Sequence, residues 1–239
     1  MRAAVKRARA IVQGRGRDHR VVVPLAFEVA ARISARPLED FLVDPTQLAN
    51  GLGELQRAIA ADGIVVACAD GIERASASSG VLDPAAMLTQ GPLGASLEAC
   101  RRLRATFADS AALVAGLSGP ATLAAQFGID MTSAGGAFGE LVKAFCEAGA
   151  QLVLVFEDAD SGFDETWQGV VTTAANIARF HQAGLMGWGI PRLEAPVRQP
   201  LSAPSDAGVG FIMTEARVPA DADIALLKAW VDGARGATA

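Results

Sequence analysis

The sequence predicts an α/β fold of the TIM-barrel type, a (β/α) parallel barrel that is incomplete or abbreviated in its C-terminal half. Three observations predict it. Apolar runs such as Val21–Val23 and Leu152–Phe156 are continuous rather than alternating, the mark of strands covered on both faces. Helical periodicity follows each run, and alternating strands and helices build a parallel sheet. An open dinucleotide-binding sheet would need a glycine-rich turn after its first strand, whereas residues Ala26 to Ala30 hold no glycine. A length of 239 residues fits one such barrel, so residues 1–239 are read as a single domain.

Taken in order, Arg2 to Val12 is patterned as a helix that Gly14 and Gly16 terminate. The apolar run from Val21 to Phe27 is the first strand. Asp44 and Pro45 form a cap and first turn, and Leu48, Leu52, Leu55 and Ile59 stripe the helix that follows. Ile64 to Cys68 is the second strand, Leu93 to Phe107 a helix, and Ala111 to Leu117 the third strand. Phe138, Leu141, Val142 and Phe145 mark a helix that hands over at Gly149 to the fourth strand, Leu152–Phe156. After a helix from about Glu165 to Gln182 come two weaker strand candidates, Leu185–Ile190 and Val209–Thr214, and a last helix capped by Asp221. Between those strands, Pro191 to Ser205 carries four prolines and reads as a loop.

Composition excludes several functions. Apolar residues make up 51% and charged residues 20%, enough for one large core. The net charge of −5 argues against a nucleic-acid surface, which needs a concentrated basic face. Charge is uneven, because seven basic side chains against Asp18 give residues 1–20 a charge of +6 and leave −11 for the rest. That start reads as a solvated first helix rather than a transit peptide, since it lacks serine and runs straight into a strand. No apolar run is long enough to span a membrane, and Cys68, Cys100 and Cys146 sit in apolar or helical contexts as reduced core residues. The expectation is a soluble, cytoplasmic protein.

Four segments, in the right order, resemble the uroporphyrinogen decarboxylase superfamily, which includes corrinoid and coenzyme M methyltransferases. They are Asp18–Pro24 (DHRVVVP), Phe41–Asp70, Gly116–Gln126 (GLSGPATLAAQ) and Glu147–Asp160 (EAGAQLVLVFEDAD). The resemblance covers residues 1–183, and the 56 residues after Ala183 match poorly where the family places four further strand-helix units. It implies a shortened barrel, completed in a homodimer or by a partner subunit.

Barrel chemistry gathers at the carboxyl ends of the strands. The candidates there are Glu28, Asp70, Ser118, Glu157, Asp158, Asp160, Glu215 and Arg217. By resemblance Asp70 matches the carboxylate that stabilises a cationic intermediate, and it is taken as catalytic with Glu157 and Asp158. These last two, with Asp160, suit either a cation or protonated substrate, or the cap of the helix near Asp164. Substrate-binding candidates are Glu28, Arg32, Ser118, Gly119, Gln126, Asp160, Trp188 and Glu215. The amides of Gly119 to Thr122 open a helix whose dipole suits an anion.

Departures from the family narrow the reaction. Its Arg-Gln-Ala-Gly-Arg segment corresponds to Glu28–Arg32, of which only Arg32 is cationic; its tyrosine falls at Gln126 and its serine at Asp158. A porphyrinogen bearing eight carboxylates would meet too many anions. The methyltransferase branch activates a thiol on zinc through a His-x-Cys pair and a later cysteine. His19 and His181 have no neighbouring cysteine here, so no metal and no cofactor is expected from this chain. The function expected is decarboxylation or carbon-group transfer on a small organic or tetrapyrrole-like molecule. The alternatives are a non-catalytic, partner-dependent barrel subunit and a corrinoid-linked methyltransferase component.

Overall fold

Every strand ladder among the described residues is parallel. A computed structural model describes residues 4–16, 18–67, 71–158, 162–190, 192–202 and 208–236. Seven strands lie among them: β1 (Arg20–Val23), β2 (Gly63–Ala67), β3 (Ala112–Ser118), β4 (Leu152–Phe156), β5 (Gly184–Gly187), β6 (Val197–Gln199) and β7 (Gly210–Thr214). They form a four-stranded sheet in the order β2-β3-β4-β5 and a three-stranded sheet in the order β1-β7-β6. The helices that alternate with them are α1 (Ala4–Val12), α2 (Phe27–Ile33), α3 (Leu38–Val43), α4 (Pro45–Ile59), α5 (Ile72–Ser76), α6 (Pro84–Met87), α7 (Gly91–Phe107), α8 (Pro120–Phe127), α9 (Met131–Ala148), α10 (Glu165–Phe180) and α11 (Ile224–Ala234). The result is a TIM-barrel-like ring that is not closed.

One seam between the sheets, β1 beside β2, is bridged by hydrogen bonds from Asp62. Its amide donates to Val22 O at 2.9 Å, and its Oδ2 accepts from Val22 N at 3.0 Å. A side chain thus takes the place of a ladder partner between β1 and β2. The same carboxylate accepts from the guanidinium of Arg235 at 2.7 Å and from that of Arg7, so α1 and α11 converge on one buried anion. Arg7 is packed rather than solvated, and Ala4, Val5 and Ala8 of α1 are buried with it.

The core follows the predicted stripes. Leu48, Leu52, Leu55 and Ile59 of α4, and Phe138, Leu141, Val142 and Phe145 of α9, are all buried, as is every residue of β3. Asp44 caps α4 as expected, its Oδ1 accepting from Thr46 N at 2.8 Å and Gln47 N at 3.1 Å ahead of Pro45.

Three expectations are corrected. The proline-rich segment contains β6, whose Val197–Gln199 lies between Pro196 and Pro200 and pairs among described residues with β7 only. An edge strand tolerates prolines at its ends because no inner ladder needs their missing N–H. The first strand stops at Val23, and Phe27 starts α2 instead; Pro24 breaks the ladder and Leu25 N turns to Thr214 Oγ1 at 3.0 Å. The last helix is capped by Asp223, not Asp221, through Ala225 N at 2.8 Å.

Candidate functional site

The carboxyl ends of the strands carry two polar arrangements in neighbouring positions. At the end of β3, Ser118 donates its amide to Glu73 Oε1 at 2.8 Å and its hydroxyl to Glu73 Oε2 at 2.9 Å. Glu73 lies on the short helix α5 and is fully buried, and Ser118 is nearly so. At the end of β4, Glu157 Oε2 accepts from Thr122 N at 2.7 Å, and Oε1 accepts from Ala121 N at 3.1 Å and from the Trp167 indole at 2.6 Å. The anion expected at the start of α8 is therefore the protein's own Glu157, held by helix amides and dipole. Gly119 makes room for it, since a Cβ there would meet Glu157 Cδ at 2.3 Å.

This changes the reading of Glu157. It caps α8 rather than the helix at Asp164, where Asp164 Oδ1 itself accepts Trp167 N at 2.8 Å. Three donors occupy both Glu157 oxygens. Asp158 is exposed, and its amide donates to Thr122 Oγ1 at 2.8 Å. Asp70 and Asp160 lie outside the described residues.

Across the ring, Glu28 on α2 meets Arg217 after β7, with Oε1 3.3 Å from Nη1. Glu28 Oε2 is buried and accepts no hydrogen bond from any described residue. Trp188, following β5, stacks on Phe156 at 5.6 Å, with the Arg198 guanidinium 5.4 Å over its ring. Arg32 is exposed on the outer side of α2 and donates to Ala222 O at 2.7 Å. Glu215 is exposed, its amide donating to Gln199 O at 2.8 Å. Gln126 lies near the far end of α8, its carbonyl accepting from Arg74 at 3.0 Å. Glu28 follows β1 and Glu157 follows β4, strands that belong to the two different sheets.

The sequence reading missed Glu73. Its five-residue helix is too short to show periodicity, and a lone Glu beside Arg74 looks like a solvated face. The only available signal was its position just after a strand end.

The zinc of the methyltransferase branch finds no ligand set among the described residues. Among the described residues no group of three His, Cys, Asp or Glu side chains is placed to hold a metal. Cys100 and Cys146 are buried in α7 and α9, and burial pushes both thiols up to about 12, far from thiolate character. His19 precedes β1 and His181 precedes β5, so both stand at the opposite end of the strands from the rim. Cys68 lies outside the described residues.

Comparison with known proteins gives the fold a relative. No family model matches the chain, and no curated protein matches it in sequence. Among solved structures it is similar to a methyltransferase from Methanosarcina mazei, with a TM-score of 0.74 at 14% identity over 98% of each chain. The similarity extends through the residues after Ala183, which the sequence motifs left unmatched. Nothing in the comparison favours a decarboxylase. Among the described residues, no helix is long and apolar enough to cross a membrane.

Proposed function

We propose that this chain is a group-transfer barrel of the corrinoid-linked methyltransferase type, which binds a small organic molecule at the carboxyl-end rim and works with a partner. The observation that carries this reading is the end-to-end likeness to a methyltransferase barrel. In this reading Asp70 and Asp158 are the acid-base and electrostatic groups, Glu28 and Trp188 contact substrate, and Glu73 and Glu157 keep the ends of β3 and β4 in place. Thiol activation in this reading draws on a metal supplied in the assay or by the partner, since no group of three metal-binding side chains stands among the described residues. A homodimer contact or a second subunit over the open ring fits the same reading, as does a cytoplasmic location.

The test is a methyl-transfer assay with purified chain, methylcob(III)alamin and a panel of small thiols, followed by loss of the cobalamin absorbance, with and without added Zn2+. Chain-dependent demethylation is expected, and Asp70→Asn should remove it without unfolding the protein. A second reading is a non-catalytic subunit, in keeping with the lack of a metal-ligand cluster among the described residues. Native mass spectrometry showing a stable complex, with no chain-dependent transfer under any condition, would decide for it.

A further inference from the structure

Beside the rim lies a recessed pocket of about 170 Å³. Its place follows from the ring. Phe27 and Glu28 come after β1, Gly71 and Ile72 after β2, and Arg217 after β7. β7 pairs with β1, and Asp62 joins β1 to β2, so the segments that follow three neighbouring strands line the pocket together. Parallel barrels bind their ligands at that end of the strands. Leu38 and Leu42 of α3, Ala75 of α5 and Pro92 of α7 complete the lining.

Apart from Glu28 and Arg217, the lining residues are apolar. Phe27, Ile72 and Pro92 are buried, whereas Leu38 and Ala75 are exposed, so part of this apolar lining faces water and the pocket can be entered from solvent. Removing such surface from water is favourable, and an apolar group that fills the pocket removes it. An apolar protein cavity of about 150 Å³ holds benzene, so the volume here suits a group of that size. We infer that this pocket is a subsite for the apolar portion of a substrate, a hydrocarbon group about as large as one benzene ring. The group lies against Phe27, Leu42, Ile72 and Pro92 and covers Leu38 and Ala75. The inference rests on the group-transfer reading only in calling the bound molecule a substrate.

The experiment is isothermal titration calorimetry of the full chain with benzene and with toluene, repeated at three temperatures. Both should bind, toluene about fourfold tighter, the gain from burying one further methyl-sized group. The heat-capacity change of binding should be negative, the mark of apolar surface leaving water. Ala75→Phe and Leu38→Trp each add bulk at an exposed position of the lining, one from α5 and one from α3, and should abolish binding of both probes. Circular dichroism shows which of the two variants keeps the native fold. No binding by either probe, toluene no tighter than benzene, a heat-capacity change near zero, or binding untouched in a natively folded variant would each overturn the inference. The titration reads binding without turnover, so its failure leaves the transfer reading standing, and an inactive chain that still binds leaves this inference standing.

Discussion

The Trp167 indole N–H donates to Glu157 Oε1 at 2.6 Å, so one carboxylate is gripped by α10 on one side and by the first turn of α8 on the other. The grip fixes the end of β4 against the end of β3, where Gly119 N also donates to Phe156 O at 2.6 Å.

Gly119→Ala should displace that carboxylate, because the new methyl would overlap Glu157. The expected loss is about 2–3 kcal/mol for the buried hydrogen bonds disturbed, and roughly 5–10 °C in Tm for a chain of this size. Combined with Glu157→Ala the cost should be clearly less than the sum, as coupled neighbours require. Thermal melts of the two single variants and the double variant measure this; strict additivity would show that the two sites do not interact.

Asp62→Ala leaves Arg7 and Arg235 without their shared anion and Val22 N without its acceptor. Breaking a buried pair by removing one partner costs about 3–5 kcal/mol. Urea unfolding followed by fluorescence checks it, and a change under about 1 kcal/mol would reduce the seam to a surface contact.

Cys100 and Cys146 should resist alkylation in the native protein. Burial raises both thiols to about 12, and for Cys100 the neighbouring Cys146 adds to the rise. Iodoacetamide labelling at pH 8 with peptide-resolved mass spectrometry should find both unmodified until denaturant is added. Rapid native labelling of either would contradict their packing.

At the start of α9, the Ser133 hydroxyl and amide hold the Asp130 carboxyl below its ordinary range. A depressed carboxylate contributes stability that is present above the unfolded-state value and disappears as pH falls through the folded one. Carbon-detected NMR titration should place Asp130 below the ordinary value, and Ser133→Ala should move it upward.

Much of the fold is legible in the residues, and the reasons are local. β4 has the predicted bounds because five consecutive apolar residues follow a Gly149 turn, and α4 follows its cap and its stripe of leucines. β6 was hidden because three residues between prolines carry no periodicity, and their strand character comes only from β7 beside them. The site is less legible for the same reason. Sequence position puts Ser118, Gly119 and Glu157 at strand ends, but it does not say that Glu157 turns back onto α8 or that Ser118 meets Glu73. Those pairings join residues 35 to 45 positions apart and exist only once β3 lies beside β4 and α5.

Asp62 draws its two guanidiniums from positions 7 and 235, near opposite ends of the numbering. A chain emerging from the ribosome carries this carboxylate for more than 170 residues before its second cation is made. Until Arg235 emerges, the β1/β2 seam has only one of the two guanidiniums that grip its carboxylate, a wound ring awaiting its clasp. Nascent chains stalled before that residue should be cut by protease more readily than those released just after it.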